Sequence, residues 1–212
     1  MYIAGHLLAS IALAKVAHKP LKVAFLPLAV ATMAVNLIDA DHLIHYYRDT
    51  GTGNSFLLHP LHQAWAFVGL ATCLLALVLK PWQNLIFGIF FGLMLHYGLD
   101  LLANVFVYDL RAIIGFEILC FALLILLFWK DKQFWKYLTF FVALWVVCNG
   151  ILGYIVFILN WQPHETIGVF LTATLLNLLF VLVFWELFCR GKKIPASEEI
   201  KIDCNNDQSH IP

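Results

Sequence analysis

Residues 84–106 have the sequence NLIFGIFFGLMLHYGLDLLANVF, and this stretch gives the clearest indication of the fold class. A helix that crosses a bilayer needs about 20 mainly apolar residues, and this stretch meets that length. The histidine and the carboxylate within it, His96 and Asp100, lie one helical turn apart in its second half. The sequence therefore predicts a transmembrane helix that carries two polar side chains on one face.

The composition of the whole chain agrees with a lipid environment. Hydrophobic residues make up 62% of the 212 residues, and 12% are charged. A soluble domain is typically about 45–50% apolar and about 25% charged, so too few charges are present to cover a soluble core of this size. The formal net charge is zero, which argues against nucleic acid as a partner and leaves the lipid bilayer as the expected one.

Six further apolar segments flank the quoted stretch and are separated from one another by breakers such as Lys19-Pro20, Lys80-Pro81 and Gln162-Pro163. They cover residues 2–17, 23–46, 60–79, 111–129, 135–160 and 165–189. We predict an all-α fold, a polytopic transmembrane bundle of about seven helices that forms a single integral membrane domain over 1–189. Residues 190–212 turn polar and are expected to form a flexible cytoplasmic tail.

The basic residues predict the orientation of this bundle. If seven helices cross the membrane, one side carries eleven Lys and Arg residues and the other carries two, Arg48 and Arg111. The eleven are Lys15, Lys19, Lys22, Lys80, Lys130, Lys132, Lys136, Arg190, Lys192, Lys193 and Lys201. The positive-inside rule then predicts that the N-terminus lies outside and the C-terminus lies in the cytoplasm.

Histidines and carboxylates gather toward the outer side of the first four predicted helices. They are His6, Asp39, Asp41, His42, His45, His59, His62, His96 and Asp100. Residues three or four apart share a helix face, as Asp39 and His42 do, and as His96 and Asp100 do. In His59-Pro60-Leu61-His62, proline in the first turn begins a helix and brings two imidazoles to one face.

This combination of side chains predicts a metal site. Imidazole with carboxylate suits zinc, manganese or iron, and an accumulation of ionisable groups inside a membrane needs a compensating partner. The predicted ligands are His6, Asp39, His42, His59, His62, His96 and Asp100, enough for one or two divalent transition metal ions, with zinc favoured. Asp41 is a spare ligand or a general base.

Each of these residues also has a simpler interpretation. His6 alone could hydrogen-bond a neighbouring helix, Asp39 could be a solvated helix end, and His45 could be an interfacial residue. The cysteines of the apolar segments, of which Cys120 is one, are expected to pack as small hydrophobic residues. Among the remaining carboxylates, Glu117 near the outer end of its segment could support the ligands, while Glu186 is expected to pair at the basic boundary.

The segment Asp39-Ala40-Asp41-His42, the histidine pair that opens the next helix, and His96xxxAsp100 together resemble the membrane-bound predicted metal-dependent hydrolases. That family has a proline where this chain has Ile38, and a longer histidine motif where this chain has His59-Pro60-Leu61-His62. The resemblance covers roughly residues 1–105. It implies a metal-dependent hydrolase in a bacterial inner membrane. We expect helices one to four to hold the metal centre and helices five to seven, which the resemblance does not cover, to complete the scaffold.

The function predicted from the sequence is hydrolysis of an ester or phosphodiester, in which a bound metal ion activates water. A site in the outer half of the bilayer favours an amphipathic, lipid-like substrate. Two other classes stay open. One is a metal-ion or proton transporter, since intramembrane histidine and aspartate also mark ion pathways. The other is a haem-binding or purely structural metal-binding membrane protein.

Overall fold

A computed structural model describes residues 3–40, 82–105, 110–154 and 167–190, together with isolated residues between 68 and 79. Every regular element in the described part of the chain is helical. The six α-helices are α1 (Ile3–Ala17), α2 (Phe25–Ala34), α3 (Gln83–Val105), α4 (Leu110–Phe128), α5 (Phe134–Gly153) and α6 (Ile167–Phe184). A 3₁₀ segment, Val35–Ala40, continues α2, and a π-helical turn, Trp185–Cys189, continues α6.

Four of these helices are long and apolar enough to cross a membrane. The spans are Gln83–Leu102, Arg111–Phe128, Phe134–Ile151 and Leu171–Cys189. Their outward faces expose large apolar side chains, among them Leu126 at 76% and Leu119 at 66%. An apolar surface of this extent on several neighbouring helices is suited to lipid, because its exposure to water is unfavourable. The described part of the chain is therefore all-α, and its long apolar helices indicate a membrane protein.

Helix α1 is the central element of the bundle. Twelve of its fifteen residues are buried, and it packs against α2, α3, α4, α5 and α6. A helix that is apolar on all sides is stable only when other helices surround it. The sequence IAGHLLASIALAKVA is of this kind, and its small residues face the neighbouring helices. At 15 residues it is shorter than the four candidate spans, and protein rather than lipid covers most of its surface.

Contacts at both ends of the helices give their directions. Gly5 at the start of α1 lies beside Phe116 near the start of α4, and Lys15 near the end of α1 pairs with Asp131 just after α4. Helices α1, α4 and α6 run one way, and α2, α3 and α5 run the other. We call the end where α1 begins the histidine end, and the end where it finishes the lysine end.

Helices α2 and α3 run parallel and lie unusually close together. An added Cβ on Gly88 would lie 2.3 Å from the Ala31 Cβ, and one on Gly92 would lie 2.7 Å from the Val35 Cγ2. Such approaches are possible only without a side chain at these two positions. Small residues four apart allow this kind of backbone contact between membrane helices. The contact fixes α3 against the 3₁₀ segment one turn before His96.

The lysine end is held by one partly buried ion pair and aromatic packing. The Lys15 Nζ lies 3.3 Å from Asp131 Oδ2 and 4.2 Å from the centroid of the Phe128 ring. Tyr137 stacks on Phe188 with a centroid separation of 4.2 Å. A lysine cation over an aromatic face is favourable when it is shielded from water. The ion pair joins α1 to the loop between α4 and α5, and the ring stack joins α5 to the π-helical turn after α6.

Most helix predictions are confirmed, within two residues at the ends that the structure describes. The segment predicted over 23–46 is helical as far as Ala40, but its helix tightens to 3₁₀ geometry at Val35. The segment predicted over 60–79 lies mostly outside the described residues, although 68–69, 71–72, 74–75 and 78 are helical. The total of about seven spans therefore stays a prediction, as does the tail over 190–212.

Candidate metal centre

Three of the predicted ligands meet at the histidine end of the bundle. His6 lies in the first two turns of α1, and His96 and Asp100 lie one turn apart on α3. Both imidazoles are buried, with His6 4% and His96 2% exposed, and the Asp100 side chain is 20% exposed. Two helices that are adjacent in space but distant in sequence thus bring two imidazoles and one carboxylate together.

The carboxylate of Asp100 lies between the two imidazoles. The His6 Nε2 is 3.3 Å from Oδ1, and the His96 Nε2 is 3.2 Å from Oδ2. One ligand atom from each of the three residues lies within 4.8 Å of the others. Two ligands bound to one zinc ion at about 2.1 Å can be at most about 4.2 Å apart, so a closure of less than about 1 Å would bring all three into bonding range.

A hydrogen-bond chain orients the imidazole of His96. Its Nδ1 lies 3.1 Å from the Asn36 Oδ1, and the Asn36 Nδ2 donates to the Ser10 Oγ at 3.2 Å. Because the amide nitrogen of Asn36 faces Ser10, its oxygen faces the imidazole, and Nδ1 is the nitrogen that donates. The Nε2 of a neutral His96 then carries the lone pair, as a metal ligand requires, on the side of Asp100.

The electrostatics of this arrangement favour a cation. A neutral His96 that donates from Nδ1 would direct its Nε2 lone pair at a carboxylate oxygen only 3.2 Å away, which is repulsive. A proton on the imidazole or a metal ion between the groups removes that repulsion. Since His6 approaches the other oxygen of the same carboxylate, one ion could satisfy all three groups.

Glu117 on α4 supports the cluster at the N-terminus of α1. Its buried carboxylate accepts hydrogen bonds from the Trp145 Nε1 and the Asn149 Nδ2, both at 2.9 Å. It also accepts from the backbone of Gly5, the residue before His6. The first N–H groups of a helix have no partner within the helix, and a carboxylate there is favourable. Glu117 therefore fixes the first turn of α1, and with it His6, against α4 and α5.

The remaining predicted site residues lie outside what the structure describes. Asp39 belongs to the 3₁₀ segment, but its side chain is not among the described ones. Asp41, His42, His45, His59 and His62 fall in the range 41–67, which is also outside the described residues. Their roles as ligands, and the role of Asp41 as a general base, stay predictions.

Residues predicted to have simpler roles can be placed. Glu186 forms an ion pair with Arg190 at the lysine end, one turn away on the same segment. Cys120 and Cys148 are buried among apolar side chains as free thiols. His18 lies at the lysine end beside Phe25, at the opposite end of α1 from His6.

Sequence reasoning missed the polar residues that support the cluster, which are Ser10, Asn36, Trp145 and Asn149. A signal existed for two of them. Ser10 is four residues after His6 and so shares its helix face, and Asn36 is a lone amide inside an apolar segment. For Trp145 and Asn149 the partner is Glu117, about 30 residues away, and no local pattern connects them.

The orientation of His96 gives the first testable prediction. Replacing Asn36 by alanine removes the acceptor of the Nδ1 proton, and we expect zinc affinity to fall about 10–100-fold, as is usual when a metal ligand loses its hydrogen-bond partner. Competition titration with a chromophoric chelator measures this. Asn84→Ala is the matched control, because the Asn84 Oδ1 accepts from the backbone of Ala24 at the lysine end. Equal affinities for the two variants would contradict the assigned role.

The fold and the cluster define a helical membrane protein with two buried histidines and a partly buried aspartate grouped at one end of its bundle. No protein-family model matches the chain, and no curated protein or solved structure is significantly similar to it. The resemblance to the membrane-bound predicted metal-dependent hydrolases therefore rests on the motif residues alone.

Proposed function

We propose that this chain is a membrane-embedded, metal-dependent hydrolase that acts on an ester or phosphodiester. The observation that carries the proposal is the convergence of two buried imidazoles on opposite oxygens of the Asp100 carboxylate. Two imidazoles and one carboxylate form a three-residue ligand set that is typical of catalytic zinc sites. The motif resemblance over residues 1–105, which includes His96 and Asp100, also supports it.

Within this proposal His6, His96 and Asp100 hold a divalent transition metal ion, with zinc favoured and manganese or iron as alternatives. A bound metal ion would supply an activated water and polarise the substrate oxygen. Asn36 keeps His96 in the ligating tautomer, and Glu117 keeps His6 in place. Asp39, His42, His59 and His62 would complete the ligand set, including that of a second ion, and Asp41 would act as a general base.

The proposal includes a membrane topology. Seven spans would place the N-terminus and the metal centre at the outer side of a bacterial inner membrane, and the tail over 190–212 in the cytoplasm. The directions of the described helices and the Lys and Arg distribution support it. A centre at one end of the bundle, next to apolar helix surfaces, favours an amphipathic substrate such as a phospholipid or a lipid-linked phosphate.

A metal-ion or proton transporter is the competing proposal. A transporter needs polar groups that continue across the membrane. The sequence of α1 between His6 and Lys15, all of α2, and α3 before His96 contain no acidic or basic residue. The helices that form the cluster therefore favour chemistry at one end over passage from end to end.

Metal analysis of the purified protein tests the proposal. We expect about one to two zinc, manganese or iron ions per chain after gentle purification in detergent, because the cluster needs a cation to offset its partly buried carboxylate. Chelation should abolish hydrolysis of amphipathic phosphodiesters or esters, and adding back the metal should restore it. Elemental analysis by mass spectrometry, paired with a substrate panel, gives both measurements.

Two outcomes would contradict the proposal in different ways. Metal well below one ion per chain, not raised by incubation with zinc, manganese or iron(II), would remove the metal centre itself. Full metal content with no turnover, together with metal flux in proteoliposomes carrying a zinc-sensitive dye, would favour transport instead.

A further inference from the structure

The lysine end of the bundle contains a groove that the metal centre does not explain. It lies between the first turn of α2 and the loop that joins α4 to α5, and its volume is about 470 Å³. Phe25 and Leu26 line one side, and Lys130, Lys132 and Gln133 line the other. Sites for small molecules usually fall between about 300 and 1,000 Å³, so the groove can hold a lipid head group. We call it the lysine groove.

The charge of the lysine groove is positive. Asp131 also lines it, but its Oδ2 is 3.3 Å from the Lys15 Nζ and its Oδ1 accepts from the Gln133 backbone at 3.0 Å. Lys15 thus offsets the one carboxylate. Within the part of the chain that the structure describes, Lys130 and Lys132 form no ion pair with an acidic side chain, so two exposed ammonium groups at the rim are available to an anion.

Helix geometry adds to this positive potential. Helix α2 begins at Phe25, and its N-cap residue, Ala24, provides no side-chain hydrogen bond to the first turn. The N-terminus of a helix carries a partial positive charge. Burial lowers the pKa of His18 nearby, and the cations of Lys15 and Lys19 lower it further. A lowered pKa leaves His18 neutral at pH 7, so the positive potential of the lysine groove comes from Lys130, Lys132 and the start of α2.

The position of the lysine groove in the bundle selects lipid rather than a soluble anion. Trp129 and Trp135 flank the loop between α4 and α5 and are 66% and 74% exposed. Tryptophan is enriched at the level of the lipid head groups, where its ring is half in the apolar region. Phe25 and Leu26 form an apolar wall of the groove. This wall can contact the glycerol and upper acyl carbons of a lipid, whereas inorganic phosphate has no such carbons.

We propose that the lysine groove binds the phosphate of an anionic phospholipid, with Lys130 and Lys132 as the recognising cations and Phe25 and Leu26 in contact with its glycerol region. This binding is independent of metal and of hydrolysis. Basic recesses at one membrane face are known lipid sites in other membrane proteins. The bound lipid would join the start of α2 to the loop between α4 and α5.

The test counts lipids retained by the full chain. The protein is released from nanodiscs that contain phosphatidylglycerol and phosphatidylcholine with the same acyl chains, and native mass spectrometry measures the retained lipid. Wild type should retain phosphatidylglycerol selectively. A lysine near an anionic surface contributes about five-fold, so Lys130→Gln with Lys132→Gln should lower retention about 25-fold. Lys19→Gln with Lys22→Gln, an equal charge change at the same end outside the groove, should lower it less than about five-fold.

Other outcomes would overturn the proposal. Equal losses in both double variants would mean diffuse attraction to the membrane surface, and displacement of the lipid by inorganic phosphate alone would mean a site for soluble anions. Lys130→Arg with Lys132→Arg guards against misfolding, because it keeps both charges. It should retain phosphatidylglycerol as wild type does, and loss of retention in this variant would also contradict the proposal.

Discussion

Replacing His96 by alanine is expected to abolish tight metal binding, with zinc affinity falling by more than about 100-fold. The loss should exceed that of Asn36→Ala, since the ligand itself disappears rather than its hydrogen-bond partner. Any hydrolytic activity should fall to background in the same variant. Equilibrium dialysis against a zinc buffer, followed by elemental analysis, measures the affinity.

His18→Ala is the matched control for this substitution. It removes an imidazole from the same short stretch of chain that carries His6, but His18 lies at the lysine end against Phe25. Its metal content and activity should equal those of wild type. Metal retained by His96→Ala at the wild-type affinity would show that the ion, if present, is held elsewhere, and the assignment of the centre would fail.

The double variant His6→Ala with His96→Ala separates ligation from simple packing. If both imidazoles bind one ion, the second substitution should cost little further affinity once the first has destroyed the site. Independent losses that add would instead indicate two separate sites. Asp100→Asn should behave as the single ligand variants do, because the amide keeps the shape of the carboxylate but loses its charge.

The helices of this protein could be predicted from sequence because the lipid environment strongly favours helical backbone. Within lipid every backbone group must be hydrogen-bonded internally, so a long apolar segment has hardly any alternative to a helix. The predicted segment over 84–106 agrees with Gln83–Val105 to within one residue, and that over 111–129 agrees with Leu110–Phe128. What hydropathy cannot predict is which helix becomes central, as α1 does.

The cluster was predicted in part, for a reason that its residues make clear. His96 and Asp100 are four apart on one helix, so their proximity follows from helical geometry. Their approach to His6 depends on how α1 packs against α3. The sequence suggests this packing only because the predicted topology places the polar residues of both helices toward the same side of the membrane. Asn36 contacts His96 from the 3₁₀ segment that continues α2. A partner on a different helix cannot be identified from local sequence patterns.

The spacing of the glycines in α3 indicates a close contact between helices, and a hydropathy profile alone does not detect it. Gly88 and Gly92 are four residues apart in an apolar helix, the spacing of close helix contacts in membranes. The structure places both against α2, with Gly92 next to Val35 and Thr32. Because Asn36 follows Val35 and His96 lies one turn after Gly92, this contact also sets the geometry of the metal centre.

Gly92→Ala is therefore expected to lower both stability and zinc affinity. The added Cβ would lie 2.7 Å from the Val35 Cγ2 and 3.0 Å from the Thr32 carbonyl oxygen. Valine is stiff about χ1 and a backbone oxygen cannot move alone, so the two helices must separate. Overpacking of this kind costs about 1–3 kcal/mol. Thermal unfolding in detergent and the zinc titration measure the two effects.

Gly98→Ala on the same helix is the control, because an added Cβ there meets no atom within 4 Å. It should keep the stability and zinc affinity of wild type. Pairing Gly92→Ala with Val35→Gly should restore part of the lost zinc affinity, since it removes both the Cγ2 at 2.7 Å and the Cβ that would lie 2.8 Å from the added Cβ. Restoration beyond the sum of the single effects is the expected sign of direct coupling. If the double variant is worse than either single one, the close α2–α3 contact does not position His96, and the link between helix packing and the metal centre is wrong.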